Sequence, residues 1–224
     1  MKIYLDSADV RSWSLPTGCP SVQGVTTNPT LVYQAGLEVA LPTYLRLLGA
    51  VADHGLAELM LQLPRADVAD ARRWSDALRA EARRLNVALT LKLPCHPDWA
   101  PCIDLMGSLG QDFLLTGLSS PVQLLWAHER KARWVAPYVG RLVNDGRNVA
   151  ALMEACVRVQ GLGGPGLLAA SIKSPDVLAQ LIGWGAEAVT LPPSSLVAWS
   201  RDALTEAAMA QFERDIQASH KRAE

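Results

Sequence analysis

Short apolar runs recur along the chain, and each is followed by a stretch with helical periodicity. The runs are Lys2–Leu5, Gly24–Thr27, Glu58–Leu63, Ala88–Leu93, Asp112–Leu115, Trp134–Val139, Leu167–Ile172 and Ala188–Leu191. Most are apolar nearly throughout rather than alternating, which suits parallel strands covered on both faces. Between them, Val68, Ala71, Trp74, Leu78, Ala82 and Leu85 recur at three- and four-residue steps and form one apolar stripe. Val149, Leu152, Met153, Cys156 and Val157 do the same further on. Ser120-Pro121 and Ser174-Pro175 each open a helical segment, because Ser caps a helix N-terminus and Pro suits the first helical position.

Strand followed by helix, repeated eight times, predicts an α/β fold: a single-domain (β/α)8 TIM barrel over residues 1–224. A polar segment over about 202–221, with Leu204, Ala208 and Phe212 on one side, predicts an additional C-terminal helix that could pack on a neighbouring subunit. An open doubly wound sheet is the alternative. The chain has no GxGxxG after the first strand and no GxxxxGK[ST], so neither a dinucleotide site nor a P-loop is expected.

Composition narrows the picture. Half of the residues are hydrophobic and the net charge is −1, which predicts a packed domain and no nucleic-acid partner. No apolar run reaches the roughly 18 residues of a membrane helix, and the N-terminus reads as a strand rather than a signal peptide. Cys19, Cys95, Cys102 and Cys156 are scattered and form no CxxC pair, which points to a reduced, cytoplasmic chain without disulfides or zinc. Most of the seven Trp, Trp74 among them, are read as packing residues.

In a barrel of this kind the reacting groups sit where strands end and the following loops begin. Those ends carry Asp6, Thr26-Thr27-Asn28, Gln62, Lys92, Thr116, Tyr138 with Arg141 beyond it, Ser171 with Lys173 beyond it, and Thr190. Convergent polar groups on rigid strands are how a barrel positions a substrate.

Lys92 is the sharpest of these signals. It lies in Ala-Leu-Thr-Leu-Lys-Leu-Pro, an apolar strand with little room for a solvated charge. Burial disfavours the ammonium, and lowering a lysine from about 10.4 to about 7 costs about 4–5 kcal/mol. That cost is reasonable where a neutral amine is needed as a nucleophile. Taken alone, Lys92 is equally compatible with a lysine that snorkels to the strand end. Asp6 can relay protons, or could cap a helix starting near Ala8, a role open to Ser7 as well. Arg141 and Ser171 fall on the sixth and seventh units, where barrels often bind phosphate; otherwise they read as a surface ion pair and a turn. Lys173 is a weaker candidate for the same corner.

The segments Leu5-Asp6-Ser7-Ala8, Gly24-Val25-Thr26-Thr27-Asn28-Pro29-Thr30, Lys92-Leu93-Pro94, Val135-Ala136-Pro137-Tyr138-Val139-Gly140-Arg141 and Leu168-Ala169-Ala170-Ser171 resemble the transaldolase family. The likeness is to its short branch, which includes fructose-6-phosphate aldolase, and it runs in order from residue 2 to about residue 215. The resemblance implies that Lys92 is the Schiff-base lysine and Asp6 the acid–base aspartate. It implies that Asn28, with Thr27 beside it, holds the donor's hydroxyl. It implies that Gln62, Thr116 and Tyr138 hold a catalytic water, and that Arg141 and Ser171 bind phosphate. True transaldolases tend to carry Glu in place of Gln62 and Phe in place of Tyr138, so the Gln/Tyr pair resembles the aldolase pattern. Two loops depart from the family: Pro94-Cys95-His96-Pro97-Asp98-Trp99 lacks the usual hydroxyl residue, and Gly117-Leu118-Ser119-Ser120-Pro121 is unusual. His96 either lines the pocket or is an ordinary loop histidine.

The implied activity is class I aldol transfer on a ketose phosphate, moving a dihydroxyacetone-type unit to an aldehyde acceptor. Its partners are therefore a sugar phosphate donor and an aldehyde. No cofactor or metal is expected, because an iminium serves as the electron sink. The resemblance also implies a ring-like homo-oligomer, a pentamer or decamer. Three alternatives stay open: cleavage that releases free ketone, a specialised transaldolase acting on a longer or modified sugar, and a non-catalytic barrel. A metal-dependent lyase would need clustered ligands, and His54, His96, His128 and His220 do not fall on strand ends.

Overall fold

A computed structural model describes residues 1–221 of the chain. Eight parallel strands close in sequential order into a barrel. They are β1 (Lys2–Asp6), β2 (Gly24–Thr26), β3 (Glu58–Gln62), β4 (Ala88–Pro94), β5 (Phe113–Thr116), β6 (Trp134–Ala136), β7 (Gly166–Ala169) and β8 (Ala188–Leu191). The helices are α1 (Pro29–Gln34), α2 (Leu41–Asp53), α3 (Val68–Leu85), α4 (Ala100–Ser108), α5 (Pro121–Glu129), α6 (Val139–Asn144), α7 (Val149–Gly161), α8 (Pro175–Trp184), α9 (Pro193–Trp199) and α10 (Ala203–Lys221). The expected barrel and its additional C-terminal helix are both present.

The helix ends follow local chemistry. Ser120 and Gln123 form a reciprocal capping box on α5, and Ser174 caps α8 through the Val177 N–H. Asp67 caps α3, whose far end is closed by Asn86 in a left-handed conformation.

Three expected elements differ by more than a residue at an end. The sixth strand stops at Ala136 rather than Val139, since Pro137 has no N–H for the ladder and Val139 already begins α6. The seventh stops at Ala169 rather than Ile172, because Ser171 takes a positive φ of 60° that breaks the extended backbone. After β1 the chain makes only a 3-10 turn, Val10–Ser12, where the repeat would put a helix.

The pairing register sorts the strand residues into two faces. Leu5, Val25, Leu59, Leu91, Leu115 and Leu191 point outward into the layer shared with the helices. Tyr4, Met60, Leu114, Trp134, Leu168 and Ala188 fill the barrel itself. Toward the N-terminal end, the buried carboxylate of Glu58 accepts from the Tyr4 hydroxyl at 2.7 Å and the Thr90 hydroxyl at 2.6 Å, and Arg133 lies 3.5 Å away. Gly24 is required beside it: a Cβ there would overlap the Glu58 carbonyl. Above this floor the barrel opens.

α10 stands apart. It is exposed along its described length, and Leu204, Met209, Phe212 and Ile216 lie open on its surface. Among the described residues, no helix is long and apolar enough to cross a membrane.

Candidate active site

The C-terminal mouth of the barrel holds a cavity of about 700 Å³. Asp6, Asn28, Gln62, Lys92, Thr116, Tyr138, Arg141 and Ser171 all line it. Thr27 does not. Its side chain is fully buried, and its contribution is the backbone carbonyl, which accepts from Lys92 Nζ at 2.9 Å. The period of two explains the difference: Thr26 and Asn28 share the cavity side, and Thr27 between them turns away.

Lys92 is 5% exposed, and the Thr27 carbonyl is the only hydrogen-bond partner of its side-chain amine among the described residues. Burial lowers its amine to about 8, while the carboxylate of Asp6 acts in the opposite direction. That opposing charge is why the shift is smaller than the sequence suggested. The amine is therefore close to half neutral near pH 8.

Asp6 closes β1 and accepts from the Thr26 hydroxyl at 2.9 Å. It caps no helix: Asp9 accepts from the Arg11 N–H to cap the 3-10 turn, and Ser7 Oγ accepts from the Asp9 N–H. The side chain of Asn28 accepts from the Leu31 N–H at 3.0 Å and caps α1. Its amide –NH2 is left to donate toward the cavity. Across the barrel, the Thr116 hydroxyl donates to the Tyr138 hydroxyl at 2.7 Å, and Gln62 lines the same wall. The Arg141 guanidinium lies 4.6 Å above the Tyr138 ring, which holds it in place.

Lys173 also lines the cavity, so it ranks with Arg141 and Ser171 rather than below them. Gly140 draws this corner together. Its N–H donates to the Ser171 carbonyl at 2.9 Å, and a Cβ there would come within 2.6 Å of that same oxygen. Two cations and a hydroxyl thus share one side of the cavity, a set suited to an anionic group.

The two unusual loops meet at the mouth. Gln123 at the start of α5 donates to the Cys95 carbonyl at 2.7 Å and accepts from the Ser119 and Ser120 N–H groups. His96 lines the rim, where its ring accepts from the Asp98 N–H. Cys95 also faces the cavity, but burial pushes its thiol up to about 12, so it stays protonated at neutral pH. All four cysteines are free. Sequence reasoning named Thr26 among the strand-end residues but gave it no role, although strand alternation from Gly24 already puts it on the Asp6 side. It overlooked Gln123, for which no sequence signal existed beyond its capping position.

The family described as transaldolase/fructose-6-phosphate aldolase matches the chain over residues 3–224. The chain belongs to the transaldolase/fructose-6-phosphate aldolase family. It is thus an enzyme of the transaldolase/aldolase type. A protein named "Probable transaldolase" from Roseobacter denitrificans is 27% identical over 217 residues, covering 96% of each chain. One of the same name from Bartonella henselae is 28% identical over 219 residues, again covering 96% of each. A third, from Symbiobacterium thermophilum, is 26% identical and covers 99% of this chain and all of its own. Among solved structures, orotidine 5'-phosphate decarboxylase from Pyrococcus horikoshii superposes with a TM-score of 0.58 at 13% identity, covering 88% of this chain and 96% of its own. That likeness concerns the barrel fold alone.

Proposed function

We propose that this family member performs Schiff-base aldol transfer on a ketose phosphate, with Lys92 as the nucleophile. The observation that carries the reading is a buried amine, lowered to about 8, that opens on a cavity beside a carboxylate. Neutral Lys92 attacks the C2 carbonyl, and Asp6 moves the protons needed to expel water and leave an iminium. Asp6 takes the C4 hydroxyl proton as the C3–C4 bond breaks, the bonding electrons pass to the iminium, and an aldehyde departs. The remaining enamine adds to an acceptor aldehyde, whose oxygen takes that proton back, and water hydrolyses the resulting iminium to release the new ketose and free Lys92. Asn28 holds a donor hydroxyl, while Arg141, Ser171 and Lys173 hold the phosphate.

A second reading ends differently: the enamine is protonated and hydrolysed to free ketone. It is favoured by the 2.7 Å Thr116–Tyr138 hydroxyl pair on the same wall as Gln62, a set able to hold a water. The exposed apolar face of α10 supports the expectation that copies of this chain associate.

Borohydride added with fructose 6-phosphate tests the core of the proposal. The expected result is a mass increment on the peptide containing Lys92. No increment with any ketose tried, or one on another residue, overturns it.

A further inference from the structure

Three neighbouring strands, β8, β1 and β2, place a chain of hydroxyls beneath Asp6. The Thr26 hydroxyl donates to Asp6 Oδ1 at 2.9 Å, and Thr26 Oγ1 lies 2.7 Å from the hydroxyl oxygen of Thr190. Asp6 pairs in register with Thr26, and Thr190 pairs with Tyr4, the next inward-facing position below Asp6 on β1. Both threonines are buried, Thr190 at 2% exposure.

Counting protons sets the direction of the chain. Each hydroxyl carries one proton, and an ionised carboxylate only accepts. The Thr26 proton is used on Asp6, so the proton in the 2.7 Å contact has to come from Thr190. The order is Thr190 to Thr26 to Asp6. In such a chain each bond polarises the next, and a buried site strengthens the effect. Asp6 Oδ2 has no protein hydrogen-bond partner among the described residues, so the chain secures one carboxylate oxygen and leaves the other for the substrate.

We infer that Thr190 is a positioning residue for the reaction at Lys92, acting through Thr26 to hold the Asp6 carboxylate in its working orientation. The inference rests on the proposed acid–base role of Asp6. It differs from two simpler roles for Thr190, a bridge that merely closes β8 onto β2 and a direct contact with substrate.

The test combines kinetics with a measurement that needs no turnover. With fructose 6-phosphate as the probe ketose, Thr190→Val lowers kcat about tenfold, the loss of roughly one hydrogen bond to a charged network. KM stays within about twofold of wild type, as expected for a role outside substrate binding. Thr190→Ser restores most of kcat. In a Thr26→Val background, Thr190→Val costs nothing further, because the link it acts through is already gone. Unchanged kcat, failure of the serine variant to rescue, or losses that multiply in the double variant each overturn the inference. Independently, the carboxyl 13C resonance of Asp6 is followed in protein labelled at aspartate and assigned with Asp6→Asn. It moves in Thr190→Val and not in Thr190→Ser, and no movement in Thr190→Val overturns the inference. If the wild-type protein neither turns over nor traps fructose 6-phosphate, the Schiff-base reading fails for that ketose, and the resonance still decides whether Thr190 orients Asp6.

Discussion

Lys92 Nζ donates to the backbone carbonyl of Thr27 across 2.9 Å, joining two strands that are not neighbours in the barrel. The bond holds the amine on the inward side of β4, in the cavity that Asp6 and Asn28 also line. It also gives Thr27 a role that its hydroxyl does not have. A carbonyl accepts from an amine as well as from an ammonium, so the contact survives loss of the proton. The tests below follow from this arrangement and from the groups around it.

Lys92→Met stabilises the fold near neutral pH. The folded amine lies at about 8 and an exposed lysine at 10.5, so between these values the unfolded chain binds more protons and wild-type stability rises with pH. Below about 8 the folded protein bears the full cost of a buried ammonium, about 3 kcal/mol by the same linkage. Removing the amine also orphans the Thr27 carbonyl, which offsets about 1 kcal/mol. Urea unfolding at pH 7 therefore shows the variant about 2 kcal/mol more stable, and the advantage disappears as pH rises toward 10.5. Equal stabilities at pH 7 contradict the burial cost.

The activity follows the same titration in the catalytic direction. The proposed nucleophile is the neutral amine, so kcat/KM is expected to climb with pH and level off above about 8. Lys92→Met abolishes turnover while circular dichroism shows an intact fold. A pH profile that is flat between 6 and about 9 argues against an amine with this titration.

Tyr138→Phe shifts the balance between the two outcomes. It removes the acceptor of the Thr116 hydroxyl and one partner of the proposed water. Release of free ketone falls by about a hundredfold, the lower end for loss of positioned acid–base help. Transfer to an added aldehyde falls much less. The ratio of the two products, measured with one donor with and without acceptor, checks this.

Arg141→Ala separates phosphate binding from chemistry. Losing a charge-assisted contact of about 1.5–3 kcal/mol raises KM for a phosphorylated ketose about 10- to 100-fold. The unphosphorylated analogue is affected little. Lys173→Ala acts in the same direction, since both cations border one cavity. Equal loss for both substrates assigns Arg141 to structure.

Glu58→Ala is a stability change remote from the chemistry. It strands the buried Tyr4 and Thr90 hydroxyls, while the part-exposed Arg133 keeps its 2.7 Å partner Asp112. Leaving two buried hydroxyls without their acceptor costs about 2–6 kcal/mol. Thermal unfolding shows the loss, and specific activity of the folded fraction stays near wild type.

Much of the architecture is legible in the sequence. Eight apolar runs separated by helical stripes imply a parallel sheet covered on both faces, and eight repeats in one domain favour its closure into a barrel. The Ser-Pro pairs announce α5 and α8 because capping is decided within one turn. The errors fall where a local rule is overridden. Val139 and Ile172 read as strand by apolarity, yet Pro137 and the left-handed Ser171 end the ladder first.

By itself, the sequence determined the strand and helix order, the mouth residues Asp6, Asn28, Gln62, Lys92, Thr116 and Tyr138, and the likeness that names the family. These depend on periodicity and on residue type, which a linear pattern carries. Only the tertiary structure decided which distant groups come together. It brought Lys173 to the side of Arg141, and set Thr190 under Thr26, 164 residues away in the chain. The second of these contacts depends on closing β8 against β1, and no local pattern encodes a contact made only when the barrel closes.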